Sequence, residues 1–298
     1  MLLWGNPDHV RRFVTQAVPL HGGDSFEINE MLATKMLAAP HDEAPCPLHH
    51  PQLQHYDHEF QRYWHYYQLW GRLAYNPNTA PELWEQEFTQ RFGQKTGPIL
   101  QRALHRASTI LPRIVAAFYN YHYFPTTRGW AAMMRLGDMR QYALSTGTDT
   151  EQFQTYREAA AQLFETDITT LRTPQQTAQW LNHAARDILK DIAMATAANE
   201  PRSEIHQREF QATCADLKIL AHLAQYHAAR MPAALWYHAY SETKDSFAMS
   251  QCLANQRAAN QAWEKIVQTA ETAYTPNLRF GAAGMGFPAH WREERQAL

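Results

Sequence analysis

Residues 56–93, YDHEFQRYWHYYQLWGRLAYNPNTAPELWEQEFTQRFG, decide the fold. They hold three Trp, five Tyr and three Phe. Tyr56, Phe60, Tyr63, Tyr67, Trp70 and Ala74 recur at alternating spacings of four and three, the repeat of one helix face. The spacing predicts a helix over 56–75 with that seam inward, widened by Leu69 and Leu73. Pro77 ends it, because proline lacks an N–H and clashes with the preceding turn. Pro81 opens a second helix at its first position. Leu83, Trp84, Phe88 and Phe92 form its apolar side, and Gly93 stops it.

C-terminal to this stretch the patterns are helical. A third helix is expected over about 97–119, through Leu100, Ala103, Leu104, Ala107, Leu111, Ile114 and Phe118, with a kink or break at Pro112. Helical periods resume over 151–165 and 174–198. The longest pattern starts at the capping residue Ser203. Phe210, Cys214, Leu217, Ala221, Ala224, Ala228, Met231 and Leu235 continue the four-three alternation, and the small residues among them let a neighbour approach closely. Pro232 bends or divides that helix. A last helix, 245–274, carries Ala259, Trp263, Ile266, Ala270 and Tyr274.

The N-terminal side reads differently. Asn6-Pro7-Asp8 is a helix start, and His21-Gly22-Gly23-Asp24 is a turn. Ser25 to Asn29 alternates apolar and polar residues, which predicts a strand. Pro40, Pro45, Pro47 and Pro51 break regular structure before Tyr56. The expected organisation is an α/β segment with a Pro/His-rich loop over 1–55, a helical domain over 56–275 and a tail over 276–298. The fold class is mainly α, a multi-helix array in which short connections make neighbours antiparallel.

Composition excludes several classes. With 27 basic and 29 acidic residues the net charge is −2, and no basic cluster offers a nucleic-acid footprint. No apolar run approaches the roughly 18 residues of a membrane span. The N-terminus, MLLWGNPDHVRRF, does not read as a signal peptide; the compartment stays open, with cytoplasmic as the default expectation. Cys46, Cys214 and Cys252 are too few and too dispersed for a disulfide framework or structural zinc.

Few motifs state a chemistry. His55 and His58 sit three apart beside Asp57 and Glu59. The run His58-Glu59-Phe60-Gln61-Arg62 begins like a zinc helix, but Arg62 stands where the second ligand is required. A His-rich surface loop accounts for the same residues, and no metal or cofactor is expected. His222 and His227, five apart, lie on different helix faces. Glu27 projects from the expected strand and Glu30 follows its end, where residues of α/β barrels face the active-site mouth. Two acids there suit acid–base work on a glycosidic bond; the commoner alternative is a strand-end carboxylate paired with Lys35 or Arg12, or solvated. In YNYHYFPTTRGW, residues 119–130, Tyr121, Tyr123, Arg128 and Trp130 suit a sugar-contacting loop, or an aromatic loop packed on the helices.

Tyr67-Gln68-Leu69-Trp70-Gly71-Arg72-Leu73-Ala74-Tyr75-Asn76-Pro77, then Pro81 to Phe88 and Arg91-Phe92-Gly93, resembles the start of the C-terminal helical region of xylan α-glucuronidases. The resemblance covers about 40 residues strongly. It implies that Asn6 to Asn29 is the end of a (β/α)₈ barrel, that the chain is the C-terminal portion of a larger glycoside hydrolase, and that it needs an upstream barrel polypeptide or self-association. It implies a carbohydrate ligand, with Glu27 and Glu30 as catalytic candidates and Asn29, Tyr121, Tyr123, Arg128 and Trp130 as substrate-binding candidates. The other expectation is a helical interaction or dimerisation module without chemistry of its own.

Overall fold

A computed structural model of the protein describes residues 5–28, 39–40, 42–44, 46–118, 138–163, 169–279 and 290–296. Its helices, in order, are α1 (Pro7–Arg12), α2 (Val18–Leu20), α3 (Trp64–Tyr75), α4 (Glu82–Phe92), α5 (Thr96–Ala107) and α6 (Ile110–Phe118). Then follow α7 (Met139–Leu144), α8 (Tyr156–Ala161), α9 (Pro174–Ala197), α10 (Glu204–Thr243) and α11 (Ser246–Ala273). A π-turn segment, Phe13–Ala17, joins α1 to α2, and a 3₁₀ segment, Glu59–Tyr63, leads into α3. The fold is a helical array.

Helix α10 is the axis of the array, with α9 and α11 packed along it and α5 against α9. All eight residues of its expected seam, from Phe210 to Leu235, are buried. Ala221, Ala224 and Ala228 share one buried core with Ala259, Trp263, Ile266 and Ala270 of α11 and with Leu181, Ala185 and Ile188 of α9. The alanines remove the bulk that would hold the axes apart, so dispersion contacts run the length of the pair. Helix α10 continues through Pro232 without interruption. The expected helix over 97–119 breaks at Ser108 and Thr109. Pro112 then falls in the first turn of α6, where a missing N–H removes no intrahelical bond.

The N-terminal segment packs on α3. Val10 is buried with Leu69, Leu73 and Trp84, and Arg11 donates to the carbonyls of Pro77 and Thr79, both at 3.1 Å. Gly5 donates to Ser108 Oγ at 2.7 Å. Ser25–Ile28 forms no strand. The β contacts among the described residues are isolated bridges, His49 with Tyr274 and Phe153 with Arg172. Phe26 is held by its ring instead, with centroids 5.3 Å from Phe13 and 6.0 Å from Trp70. A lone strand has no ladder to join, and aromatic packing takes its place.

The opening stretch needs one correction. Its helix begins at Trp64, not Tyr56. Gln61 Oε1 accepts from the amides of Asp57 and His58 at 2.8 and 2.9 Å, which caps a 3₁₀ turn. The buried face is Tyr63, Tyr66, Leu69 and Leu73, whereas Phe60 and Tyr67 are 55% and 38% exposed. Leu83 of α4 is also exposed, while Trp84, Phe88 and Phe92 are buried as expected. Both stripes of α3 are aromatic, so period alone does not say which one faces in.

Candidate functional site

The exposed aromatic stripe floors an open cleft of about 1270 Å³. One wall is residues 54–67, including Tyr56, Phe60, Trp64 and Tyr67; the other is the last turn of α4 with Arg91 and the first turns of α10, Ser203 to Glu209. Phe60, Trp64 and Tyr67 stand at i, i+4 and i+7, and all three line it.

A clamp between two helix corners sets the width of the cleft. Gly93 ends α4 with φ +101°, a conformation that disfavours any side chain. A Cβ there would stand 2.6 Å from the Glu200 carboxylate. That carboxylate occupies the space and accepts from the Lys95 and Thr96 amides, the latter at 2.7 Å, capping α5. Arg202 donates to the Phe92 carbonyl at 2.9 Å and lies 4.1 Å over the Phe210 ring. The α4–α5 corner is thereby fastened to the α9–α10 corner, which brings Arg91 to Glu209.

Glu209 is nearly fully buried at the cleft wall. The Trp64 indole N–H donates to its Oε1 at 2.9 Å. Arg91 Nη1 donates to Oε1 and Oε2 at 3.2 and 3.0 Å, while Arg91 Nε donates to Glu87 at 2.6 Å. The guanidinium lies 4.6 Å over the Trp64 ring, a cation–π contact that adds to the ion pairs. Trp64 is thus held in one orientation by its polar edge and by one face.

Deeper in, the cleft residues rest on a buried polar layer. The Tyr56 hydroxyl and His49 Nδ1 are 3.3 Å apart, and His55 Nδ1 bonds the Leu53 carbonyl at 2.9 Å. Arg62, buried, donates to Asp216 and, at 2.7 Å, to the Tyr274 hydroxyl. Tyr274 in turn donates to Asp216. Burial opposes the Arg62 charge, but Asp216 beside it overrides this and holds the guanidinium pKa above its ordinary value. Burial, with Arg62 and His55 nearby, pushes the His49 imidazole well below its ordinary value. Burial likewise lowers His55 and raises the Tyr56 phenol.

Of the residues picked from sequence, Glu27 is exposed and does not line the cleft. Asn29, Glu30, Tyr121, Tyr123, Arg128 and Trp130 lie outside the described residues. Among the described residues no group of three or more His, Cys, Asp or Glu gathers as a metal site. His58 stacks on Phe60 at 5.8 Å. His227 is buried against the Tyr142 hydroxyl at 3.0 Å. Sequence reasoning missed Arg91 and Glu209. Glu209 sits one residue before Phe210 of the buried seam, and a carboxylate flanking a core position is the signal that could have found it.

No described helix is long and apolar enough to cross a membrane. No family model matches the chain, and no curated protein matches it. Solved structures do. One is a GH138 enzyme targeting pectin rhamnogalacturonan II, with a TM-score of 0.74 and 13% identity. The match covers 98% of this chain and 43% of that one. The chain therefore spans less than half the length of that enzyme, and across that span the two share a fold.

Proposed function

We propose that this chain is the helical portion of a glycoside-hydrolase-like protein that acts on a plant-type polysaccharide, and that the cleft between residues 54–67 and the start of α10 is where it contacts carbohydrate. The observation that carries this reading is the row of Phe60, Trp64 and Tyr67 along an open cleft. Flat aromatic faces pack against the C–H faces of sugar rings, and polar groups around them meet the hydroxyls. The α-glucuronidase resemblance and the likeness to the pectin-targeting enzyme both point to plant cell-wall glycans.

Both Glu209 oxygens are already engaged by Arg91, and one also by Trp64. A carboxylate so occupied anchors the wall and does not suit proton transfer to a leaving group. This favours binding over bond cleavage in the cleft itself. In the same reading Glu27 and Glu30 take their catalytic part at a separate mouth, completed by a barrel polypeptide. The 121–130 loop then contacts the substrate there. Self-association as a helical module is the second reading, in which the cleft receives protein.

The test is a hydrolysis screen with aryl glycosides, glucuronoxylan fragments and rhamnogalacturonan fragments, run with and without an added barrel polypeptide, alongside binding measurements on the chain alone. Saccharide binding by the chain alone, with turnover only when the barrel is present, is expected. Turnover by the chain alone contradicts the division of labour. Absence of saccharide binding contradicts the reading as a whole.

A further inference from the structure

We infer that the cleft takes a neutral oligosaccharide and discriminates against uronic acids. This rests on the carbohydrate reading above and names the class of sugar. The charged residues lining the cleft, among the described ones, are Asp57, Glu204 and Glu209 against Arg91 and Arg208. Arg91 is committed, and Arg208 is balanced by an adjacent exposed acid. Arg91 serves Glu87 and Glu209 and stacks on Trp64. Arg208 pairs with Glu204 one turn away. His55, the remaining titratable base of the lining, is half-buried and bonded to a backbone carbonyl.

Recognition of a uronate relies on a guanidinium that can offer its fork to the carboxylate. Here a sugar carboxylate would have to draw Arg91 away from a buried Glu209, leaving that acid unpaired, and would enter a cleft with more acids than bases. Each of these terms opposes the anion. A neutral sugar meets no such cost. Its vicinal hydroxyls can donate to the exposed carboxylate of Asp57. Its ring faces can lie on the exposed rings of Phe60 and Tyr67, with Trp64 between them. From residue 60 to residue 67 the 3₁₀ turn and the first turn of α3 together rise about 12 Å, so the platform serves successive rings of a chain and not one monosaccharide.

The experiment is titration calorimetry on the full chain with two length-matched panels at low and high salt. One panel is neutral, built of xylose, glucose, galactose or arabinose; the other is built of galacturonic or glucuronic acid. The protein is tested as wild type, as Asp57→Asn and as Phe60→Ala/Tyr67→Ala. The two rings are exposed, and circular dichroism confirms that the variants fold. The expected result is binding of at least one neutral oligosaccharide at least about tenfold tighter than any uronide. That binding is insensitive to salt, and the ring variant weakens it by about tenfold or more.

Tighter binding of a uronide, lost on adding salt and in the ring variant, overturns the discrimination but leaves the carbohydrate reading standing. Neutral binding that the ring variant does not alter puts the ligand outside this cleft and overturns the assignment. Absence of binding across both panels overturns the inference together with the reading it rests on.

Discussion

The indole N–H of Trp64 donates to Glu209 Oε1 at 2.9 Å, joining residues 145 positions apart in the chain. Arg91 completes the triad from a third helix. The result is a wall that belongs to α3, α4 and α10 at once. Replacing Glu209 with Ala leaves a stacked guanidinium and an indole N–H without their acceptor. The expected loss is about 2 kcal/mol in urea unfolding, with saccharide binding lost in the same variant. Glu87→Ala removes only the partly exposed arm of the same arginine, and is expected to cost about 0.5 kcal/mol or less.

Beneath the cleft, Asp216 is 1% exposed and accepts from both Arg62 and Tyr274. Asp216→Asn strands the buried Arg62 charge, and a loss of about 3 kcal/mol or more is expected. Tyr274→Phe deletes one hydroxyl and should cost about 1–2 kcal/mol. Chemical denaturation of the two variants side by side checks the order. A larger loss for Tyr274→Phe would contradict the charge argument.

Mild acid should weaken the fold. His65 and His105 face each other with Nε2 atoms 3.2 Å apart. Burial, with His105 opposite, holds His65 well below its ordinary value of 6.5, and burial, opposed by Asp8, pushes His105 down to about 4. An unfolded imidazole binds its proton near 6.5, while these folded ones remain neutral. Between pH 6.5 and about 4 the unfolded state binds more protons, so stability falls as pH falls through that window. For His105 the expected loss between pH 7 and 5 is on the order of 2 kcal/mol, and His65 adds to it in the same direction. His105→Gln should flatten the dependence, and urea midpoints across the range measure it.

The thiols give a simple check on packing. Cys214 and Cys252 are buried, and Cys46 is partly exposed. Burial pushes the Cys214 thiol up to about 12 and raises Cys252 as well. A colorimetric thiol reagent at pH 8 should label Cys46 quickly and reach the other two only on unfolding. Rapid labelling of Cys214 in the native protein would contradict the packing of α10.

How much of this was legible in the sequence depends on whether one period had a competitor. On α10 the seam from Phe210 to Leu235 is buried throughout, and so are Ile219, Leu220, Leu223 and Tyr226 beside it, so the period could be read without choosing between faces. On α3 the expected seam from Tyr56 to Ala74, widened by Leu69 and Leu73, mixed two faces: Tyr56, Tyr63, Leu69 and Leu73 are buried, while Phe60 and Tyr67 are exposed. The aliphatic residues mark the true inner face, while the aromatic row faces the cleft. Ser25 to Ile28 alternates like a strand, but alternation cannot supply the neighbouring strand that a ladder requires. The site was least legible of all. Glu209, Arg91 and Trp64 are separated by more than a hundred residues on one side, and the corner fastened by Glu200 and Arg202, with Phe92 packed on Phe210, brings them together.

The most direct measurement uses the Trp64 indole N–H as a reporter. Its ¹H–¹⁵N resonance, assigned by comparison with Trp64→Phe, can be followed while the chain is titrated with neutral oligosaccharides. Trp64 lines the cleft and its N–H is pinned to Glu209, so saccharide bound on the Phe60–Tyr67 row should shift that resonance in a saturable way. A Trp64 signal that stays fixed at saturating saccharide, while signals from elsewhere in the chain move, would contradict the cleft as the carbohydrate site.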